Sequence, residues 1–161
     1  MPAHALLIGA IFLGLCFGAA ALGAAFTARS VREWYPKLRK PAGTPPNSYF
    51  GPVWTALYIL MAVAAWNVYL KSGGLHQAAL PLTLFLIQLA LNVGWSAIFF
   101  GRRSPSLAFI EIVVLWLFIF GTTLAFWKVS AISGWLMVPY LLWVSYAARL
   151  NIGIWRLNPD G

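Results

Sequence analysis

Polar and aromatic side chains recur at helical spacing inside stretches of the chain that are otherwise apolar. Gln88, Asn92 and Trp95 are separated by four and three residues, so in a helix they share one face. Trp54 and Tyr58 lie one turn apart in an earlier stretch. Faces that combine aromatic rings with hydrogen-bonding residues could line a cavity, whereas a core formed only for packing would have less need of Asn92 and Gln88.

A third face of the same kind comes near the end of the chain. Pro139, Trp143 and Ala147 follow one another in steps of four residues, and Leu150 and Asn151 continue the stripe. The three faces predict either a ligand cavity between three helices or a core in which the amides only cross-link the helices, as is common in membranes. Both interpretations stay open at this point.

Residues for conventional catalysis are scarce. The chain has three acids, of which Glu33 and Asp160 fall in predicted loops and Glu111 falls in an apolar stretch. No two carboxylates are therefore paired for acid and base catalysis, and no Ser/His/Asp or Cys/His set is credible. A carboxylate in hydrocarbon is costly, so we expect Glu111 to pair with Arg102 or Arg103 rather than to carry protons.

Metal and disulfide chemistry is not predicted either. Cys16 is the single cysteine, and His4 and His76 are far apart in the sequence. Because a metal site needs several such ligands in one place, we expect no metal site. We also expect no obligatory cofactor and no catalytic residue.

The overall composition places these residues in a membrane protein. Hydrophobic residues make up 61% of the chain and charged residues 9%, with a mean hydropathy of +0.80. Such a chain is too apolar to keep its surface in water. Tryptophan and tyrosine rings near the ends of apolar stretches are typical of interfacial anchors, but that role does not explain the rings in the middle of a stretch.

Five apolar stretches are long enough to cross a bilayer, since a helical crossing takes about 20 residues. We therefore predict an all-α integral membrane protein, a bundle of five transmembrane helices, with residues 1–161 in one domain. A cleaved signal peptide is disfavoured for the first stretch, because no positive region precedes it and the apolar run is too long. The predicted spans are residues 5–28, 52–70, 78–100, 106–127 and 134–155.

Small residues recur at every fourth position of the first span. Ala10, Gly14 and Gly18 form one stripe along which another helix can approach closely. This pattern favours a packing face inside the bundle over a seam between two copies of the chain.

The longest interruption of the apolar pattern, residues 29–51, joins the first two spans. It is rich in proline and in basic residues. Proline fixes φ and removes backbone donors, so neither flanking helix can simply continue through this segment. Because a passive connector would be shorter and richer in Gly and Ser, we predict a lid loop over a cavity between the helices.

Lysine and arginine are distributed unequally between the two ends of the predicted helices. Nine lie on the side of the lid loop and the C-terminus, and two lie on the other side. The positive-inside rule then predicts that the lid loop and the C-terminus are cytoplasmic and the N-terminus is outside. Anionic lipid headgroups account for the net charge of +8, so no nucleic-acid partner is predicted.

Several short motifs occur together along the chain: Trp34-Tyr35, Lys40-Pro41, Pro45-Pro46, Val53-Trp54-Thr55, Leu57-Tyr58, Asn92-x-x-Trp95, Phe99-Phe100, Pro139-Tyr140-Leu141-x-Trp143, Leu150-Asn151 and Ile154-Trp155. This combination resembles the tryptophan-rich sensory protein or translocator protein family, formerly called peripheral benzodiazepine receptors, over nearly the whole chain. The resemblance implies a five-helix bundle, usually a homodimer in the lipid bilayer. It also implies a cavity beneath the first loop that binds porphyrins, cholesterol-like sterols and synthetic isoquinoline or benzodiazepine ligands.

The resemblance also assigns ligand-binding positions. Six of them lie on the faces that spacing had already indicated, and two lie in the lid loop. It implies porphyrin, haem or another hydrophobic small molecule as the ligand. The family's pocket corresponds here to Tyr35, Pro45, Trp54, Tyr58, Asn92, Trp95, Trp143 and Ala147.

The sterol motif of the mammalian relatives is incomplete in this chain. Ile152 stands where that motif has a tyrosine. Leu142, Tyr146 and Arg149 fit the loose sterol pattern one turn earlier, but such patterns are weak. We therefore expect tetrapyrrole binding rather than high-affinity sterol binding.

Three functions fit this resemblance. The first is a membrane receptor or sensor for tetrapyrroles, and the second is a transporter of porphyrins or sterols. The third is light-dependent porphyrin breakdown, the one enzymatic activity that the resemblance allows. The receptor is favoured because five helices without an evident inverted repeat do not fit the usual alternating-access design.

Overall fold

The computed structural model describes residues 1–159 and has five long helices and no strand in that range. All five are long and apolar enough to cross a membrane, which confirms the predicted all-α, five-helix membrane class. The predicted loop position of Asp160 falls outside the described residues. The helices are α1 (Ala3–Glu33), α2 (Asn47–Ser72), α3 (Ala79–Ser96), α4 (Pro105–Val129) and α5 (Ala131–Leu157).

The first two helices are longer than their predicted spans. Helix α1 continues to Glu33 rather than ending at residue 28, and α2 begins at Asn47 rather than at residue 52. The connection between them is therefore residues 34–46 instead of 29–51, and this shorter segment is the lid from here on. Hydropathy marks only the part of a helix that lies in hydrocarbon, whereas a helix can continue beyond it with charged residues in its last turn.

Helix α3 ends in a π-helical turn, Ala97–Gly101, which holds the end of α1. Such a turn disturbs the regular backbone ladder and leaves carbonyls available to other partners. The Phe100 carbonyl accepts a hydrogen bond of 2.5 Å from the Ser30 hydroxyl on α1. Gly101 lies so close to Phe26 that a Cβ there would be 3.2 Å from the ring. The C-terminal half of α1 is thus fastened to α3.

The core lies between the helices, while many large apolar side chains remain on the outside. Tyr140, Phe85 and Phe126 are among the largest fully buried side chains. Exposed apolar side chains of this number would be unfavourable in water but suit contact with acyl chains. The chain is therefore a multi-pass integral membrane protein. Outward-facing apolar residues include Leu7, Leu80, Ile110, Leu117 and Leu142.

The predicted packing role of the small-residue stripe in α1 is wrong. Ala10, Gly14 and Gly18 are exposed, and a Cβ added at either glycine would have no neighbour within 4 Å. A different face of α1 is buried, and because lipid and core are equally apolar, composition alone does not separate the two faces. The buried residues of that face include Ala5, Gly9, Phe12, Cys16 and Ala19.

The predicted pairing of Glu111 with Arg102 or Arg103 is also wrong. Both carboxylate oxygens of Glu111 are buried, and neither has a hydrogen-bond partner within residues 1–159. The side chain points toward α3, where a Cβ on Gly94 would be 3.5 Å from Oε1. Arg103 instead places its Nη2 3.6 Å from an oxygen of Glu33 at the end of α1. The basic turn therefore meets the end of α1, while Glu111 faces α3.

Candidate ligand-binding site

A cavity of about 570 Å³ lies among α1, α2, α3 and α5, with the lid residue Tyr35 in its wall. Its volume is in the range of small-molecule sites. Helix α4 contributes nothing to the lining, so this helix supports the cavity only from behind α3 and α5.

Seven of the eight predicted site residues are brought together in this wall. Pro45 is the exception: it is half-buried in the segment that leads into α2, and it is not part of the lining. Whether the seven bind a ligand remains a prediction. They are Tyr35, Trp54, Tyr58, Asn92, Trp95, Trp143 and Ala147.

A chain of hydrogen bonds runs from the cavity wall into the core and joins α2, α3 and α5. The Tyr58 hydroxyl donates to Asn92 Oδ1 at 2.6 Å, and Asn92 Nδ2 donates to the Tyr140 hydroxyl at 2.9 Å. The Tyr140 hydroxyl in turn donates to Gln88 Oε1 at 2.9 Å. The amides therefore cross-link helices, and Asn92 also faces the cavity. An amide nitrogen has two hydrogens, so the second hydrogen of Asn92 Nδ2 is not used by this chain of bonds.

Two indoles stand at right angles in the wall formed by α2 and α5. The ring centroids of Trp54 and Trp143 are 6.5 Å apart, with an interplanar angle of 89°. Trp54 also contacts Tyr58 at 5.6 Å, and Trp143 contacts Phe50 at 6.0 Å. The contacts of Trp143 with Trp54 and with Phe50 are edge-to-face, and the contact of Trp54 with Tyr58 is tilted at 33°; aromatic contacts of both kinds are favourable. The two indoles thus form a pre-shaped aromatic corner.

The opposite wall carries a third indole whose position is fixed by hydrogen bonds. Trp95 stacks on Phe99 at 5.0 Å, and its Nε1 donates to Asn151 Oδ1 at 3.0 Å. Asn151 is itself buried and donates through Nδ2 to the Pro105 carbonyl at 2.7 Å. The buried Asn151 side chain therefore fixes the orientation of the Trp95 ring and links α5 to the start of α4.

Tyr35 is the lid residue whose side chain is buried in the helix bundle. Its ring is buried against Phe99 and Phe100, with centroids at 6.4 and 5.8 Å. Lys40 lies over the ring, with Nζ 4.6 Å from the centroid, which is a cation–π geometry. Burial raises the pKa of the Tyr35 phenol above its ordinary value, so the side chain is neutral at physiological pH.

The remainder of the lid is fixed to the C-terminal part of α5. The Arg39 amide donates to Asn158 Oδ1 at 3.0 Å, and Asn158 Nδ2 donates back to the Arg39 carbonyl at 2.9 Å. The Tyr146 hydroxyl donates to the carbonyl of Gly43, whose φ of +85° favours glycine. Tyr146, which belongs to the loose sterol pattern, is therefore engaged in holding the lid.

The sequence analysis missed the contribution of α1 to the cavity. One face of this helix lines the cavity along three turns, with steps of three or four residues. The same spacing of small residues also suits ordinary helix packing, so the pattern does not point to a cavity by itself. The α1 lining residues are Ala20, Gly23, Ala24, Thr27, Ala28, Val31 and Arg32.

Comparison with known proteins gives consistent matches over nearly the whole chain. The TspO/MBR family model matches residues 12–156. The tryptophan-rich protein TspO of Chlorobaculum tepidum is 44% identical over 150 residues, which are 93% of this chain and 95% of that protein. Protein CrtK of Rhodobacter capsulatus is 40% identical over 150 residues, 93% and 92% of the two chains. The human translocator protein is 36% identical over 138 residues, 85% and 82% of the two chains.

Proposed function

The chain belongs to the TspO/MBR family, and we propose that it is a membrane receptor or sensor whose cavity binds tetrapyrroles and related hydrophobic molecules. The observation that carries this proposal is the cavity of about 570 Å³ with three indoles, Trp54, Trp95 and Trp143, in its walls. Flat conjugated rings pack favourably against aromatic side chains. Arg32 is also in the lining, where its guanidinium suits the carboxylates of a porphyrin.

The composition of the lining bears on how haem would bind. Among the described residues, no His, Cys or Met side chain lines the cavity. Together with tyrosine, these are the usual axial ligands of haem iron. Two tyrosines line the cavity, but the Tyr58 hydroxyl donates to Asn92 and burial keeps the Tyr35 phenol neutral, so neither is prepared to bind iron as a phenolate. A haem would therefore be held by its ring and its carboxylates, and we expect free-base and iron porphyrins to bind with similar affinity.

A titration in detergent or nanodiscs tests this proposal. Protoporphyrin IX and haemin should each quench tryptophan fluorescence in a saturable manner, with dissociation constants within about tenfold of each other, a difference of about 1.4 kcal/mol. A non-aromatic amphiphile of similar size, such as a bile acid, should bind more weakly. Saturable binding of haemin without binding of protoporphyrin IX would contradict the assignment, because it would show that ligation of the iron, and not packing of the ring, holds the ligand.

Two other activities of the same cavity are distinguished by separate assays. The name of the human translocator protein raises transport as an alternative, and porphyrin flux into sealed vesicles would show it. The contact between Trp54 and Trp143 favours light-dependent porphyrin breakdown as a second candidate, since neighbouring indoles are plausible redox partners. Product analysis after incubation in light and in darkness separates breakdown from binding.

The orientation of the chain forms part of the proposal: lid and C-terminus in the cytoplasm, N-terminus outside, and two copies forming a homodimer. In a Cys16→Ala background, a cysteine at exposed Lys37 in the lid should react with a membrane-impermeant maleimide only from the cytoplasmic side. A cysteine at exposed His76, between α2 and α3, should react only from the outside. The reverse pattern would overturn the orientation.

A further inference from the structure

The first two helices touch along one half of their length and separate along the other. Near the N-terminus of α1, a Cβ on Gly9 would be 2.9 Å from the Trp66 indole, and Trp66 Nε1 donates to the Ala5 carbonyl at 2.7 Å. Toward its C-terminus, α1 contacts the π-helical turn of α3 instead, through the hydrogen bond from Ser30 to Phe100. Because α1 follows α3 there, a gap remains between α1 and α2.

The cavity opens through this gap. Ala24 and Ala28 on α1, and Gly51 and Thr55 on α2, all line the cavity and are all exposed on the outside of the bundle. Arg32 and Asn47 share both properties and lie at the end nearest the lid, so six residues mark the mouth of the cavity. We call the part of this mouth formed by Ala24, Ala28, Gly51 and Thr55 the window. It faces sideways from the bundle, where the surrounding medium is the bilayer.

The chemistry of the window suits the passage of lipid-soluble molecules. Three of its four residues are alanine or glycine, and the Thr55 hydroxyl donates to the Gly51 carbonyl of its own helix at 2.8 Å. On α1, the neighbouring Thr27 hydroxyl is likewise bonded to the Gly23 carbonyl at 2.7 Å. Threonine hydroxyls satisfied in this way add no unpaired polar group to the window.

A cationic group lies at one end of the same opening. Arg32 is exposed and lines the cavity, one turn beyond Ala28. Within residues 1–159 it takes part in neither of the two ion pairs, which join Glu33 to Arg29 and to Arg103. Its guanidinium is thus available to an anionic group of a bound molecule.

The lid, by contrast, is fastened on the α5 side. Besides the contacts of Arg39 and Gly43 described above, Pro41 packs so closely on Gly153 that a Cβ there would be 2.8 Å from the proline ring. Passage beneath the lid would break these contacts. Passage through the window breaks none of them.

We infer that ligands reach the cavity sideways from the bilayer through the window between α1 and α2, and that they are membrane-dissolved amphiphiles whose anionic group is held by Arg32. This inference rests on the proposed function for its ligand class. It adds the route and the residue that recognises the charge.

Two neighbouring alanines provide a matched kinetic test with protoporphyrin IX in liposomes. Ala24 lines the window, whereas Ala25 is equally an exposed alanine of α1 but is not in the lining. Ala24→Trp should slow both association and dissociation by about tenfold or more, since an obstructed route changes both rates together, whereas an indole that only took up cavity space would speed dissociation. Ala25→Trp should bind and release like the parent. Unchanged rates in Ala24→Trp would overturn the route.

A second experiment, photolabelling by a fatty acid, tests the window without depending on porphyrin binding. A fatty acid that carries a photoreactive diazirine in its chain should label the side chains of Trp54 and Trp143 in liposomes, as located residue by residue by mass spectrometry. Ala24→Trp should abolish this labelling and Ala25→Trp should retain it. If the parent failed to bind protoporphyrin IX, the proposed function would fail while this experiment still tested the window. Absence of cavity labelling in the parent, or equal labelling in both variants, would overturn the window.

The role of Arg32 is tested by removing the charge either of Arg32 or of the porphyrin carboxylates. Arg32→Gln should weaken protoporphyrin IX binding about two- to fivefold, the range of an exposed ion pair, and should leave its dimethyl ester unaffected. Arg29→Gln is the control, because Arg29 is an exposed cation of the same helix that is absent from the lining. Equal losses for the acid and the ester would contradict recognition of the charge by Arg32.

Discussion

Trp143→Ala should weaken the binding of protoporphyrin IX about ten- to a hundredfold. The Trp143 indole forms the aromatic corner of the cavity with Trp54, so its loss removes a stacking surface and frees the neighbouring ring. Stacking of a base on an aromatic side chain contributes about 1–3 kcal/mol, which sets the scale for a porphyrin contact. The absorbance change of the porphyrin on binding measures the effect without relying on the deleted fluorophore.

Ala147→Phe should weaken binding at least as much, by exclusion. Ala147 lies one helical turn from Trp143 and lines the cavity, so a ring stacked on the indole must pass over this small side chain. A phenyl group there would fill the space that the ligand needs.

Trp135→Ala is the matched control for both variants. It also removes an indole from α5, but Trp135 is 62% exposed and is not part of the lining. Its removal should leave porphyrin affinity nearly unchanged. If both Trp143→Ala and Ala147→Phe bound like the parent, the cavity between the helices would not be the porphyrin site.

Asn92→Leu should lower the free energy of unfolding by about 1–3 kcal/mol, the scale for leaving a buried polar group unsatisfied. Buried Asn92 accepts a hydrogen bond from the Tyr58 hydroxyl and donates one to the Tyr140 hydroxyl. Its loss leaves the Tyr58 hydroxyl without its acceptor, and Tyr140 keeps only its bond to Gln88. Thermal unfolding in one detergent, or reversible unfolding in mixed micelles, measures the change.

A double-mutant cycle separates this network from simple packing. Tyr58→Phe combined with Asn92→Leu removes both members of one hydrogen bond, so no unsatisfied hydroxyl is left at that point. The double variant should therefore be more stable than the sum of the two single changes predicts. Strict additivity would show that the bond from Tyr58 to Asn92 contributes nothing specific. Hydrogen bonds inside membrane proteins are often weak, with a mean of about 0.6 kcal/mol, which makes this a demanding test.

The class of the protein and most of the cavity faces could be predicted from the sequence. Hydropathy and proline positions act locally, so they located the five helices and the connection between the first two. The spacing of Trp54 with Tyr58, of Asn92 with Trp95, and of Trp143 with Ala147 placed each pair on one helix face. The family resemblance added Tyr35, which also lies in the wall of the cavity.

The sequence did not predict which face of a helix is buried in the bundle and which is exposed. Gly14 and Gly18 were expected to pack inside the bundle but are exposed, and Glu111 was expected to meet a basic turn but is buried toward Gly94. In a water-soluble protein the polarity of a face indicates its exposure. In a membrane both the core and the surroundings are apolar, so that signal is lost.

By itself the sequence determined a five-helix membrane protein with aromatic and amide faces on three helices. The length of each apolar run shows that it can cross a bilayer, and the helical repeat of about 3.6 residues shows which side chains share a face. The tertiary structure decided that α1 packs on the π-helical turn of α3, so that the cavity remains open between α1 and α2. That choice depends on long-range contacts, such as the bond from Ser30 to the Phe100 carbonyl, which no local pattern encodes. The window is therefore a property of packing rather than of any single segment.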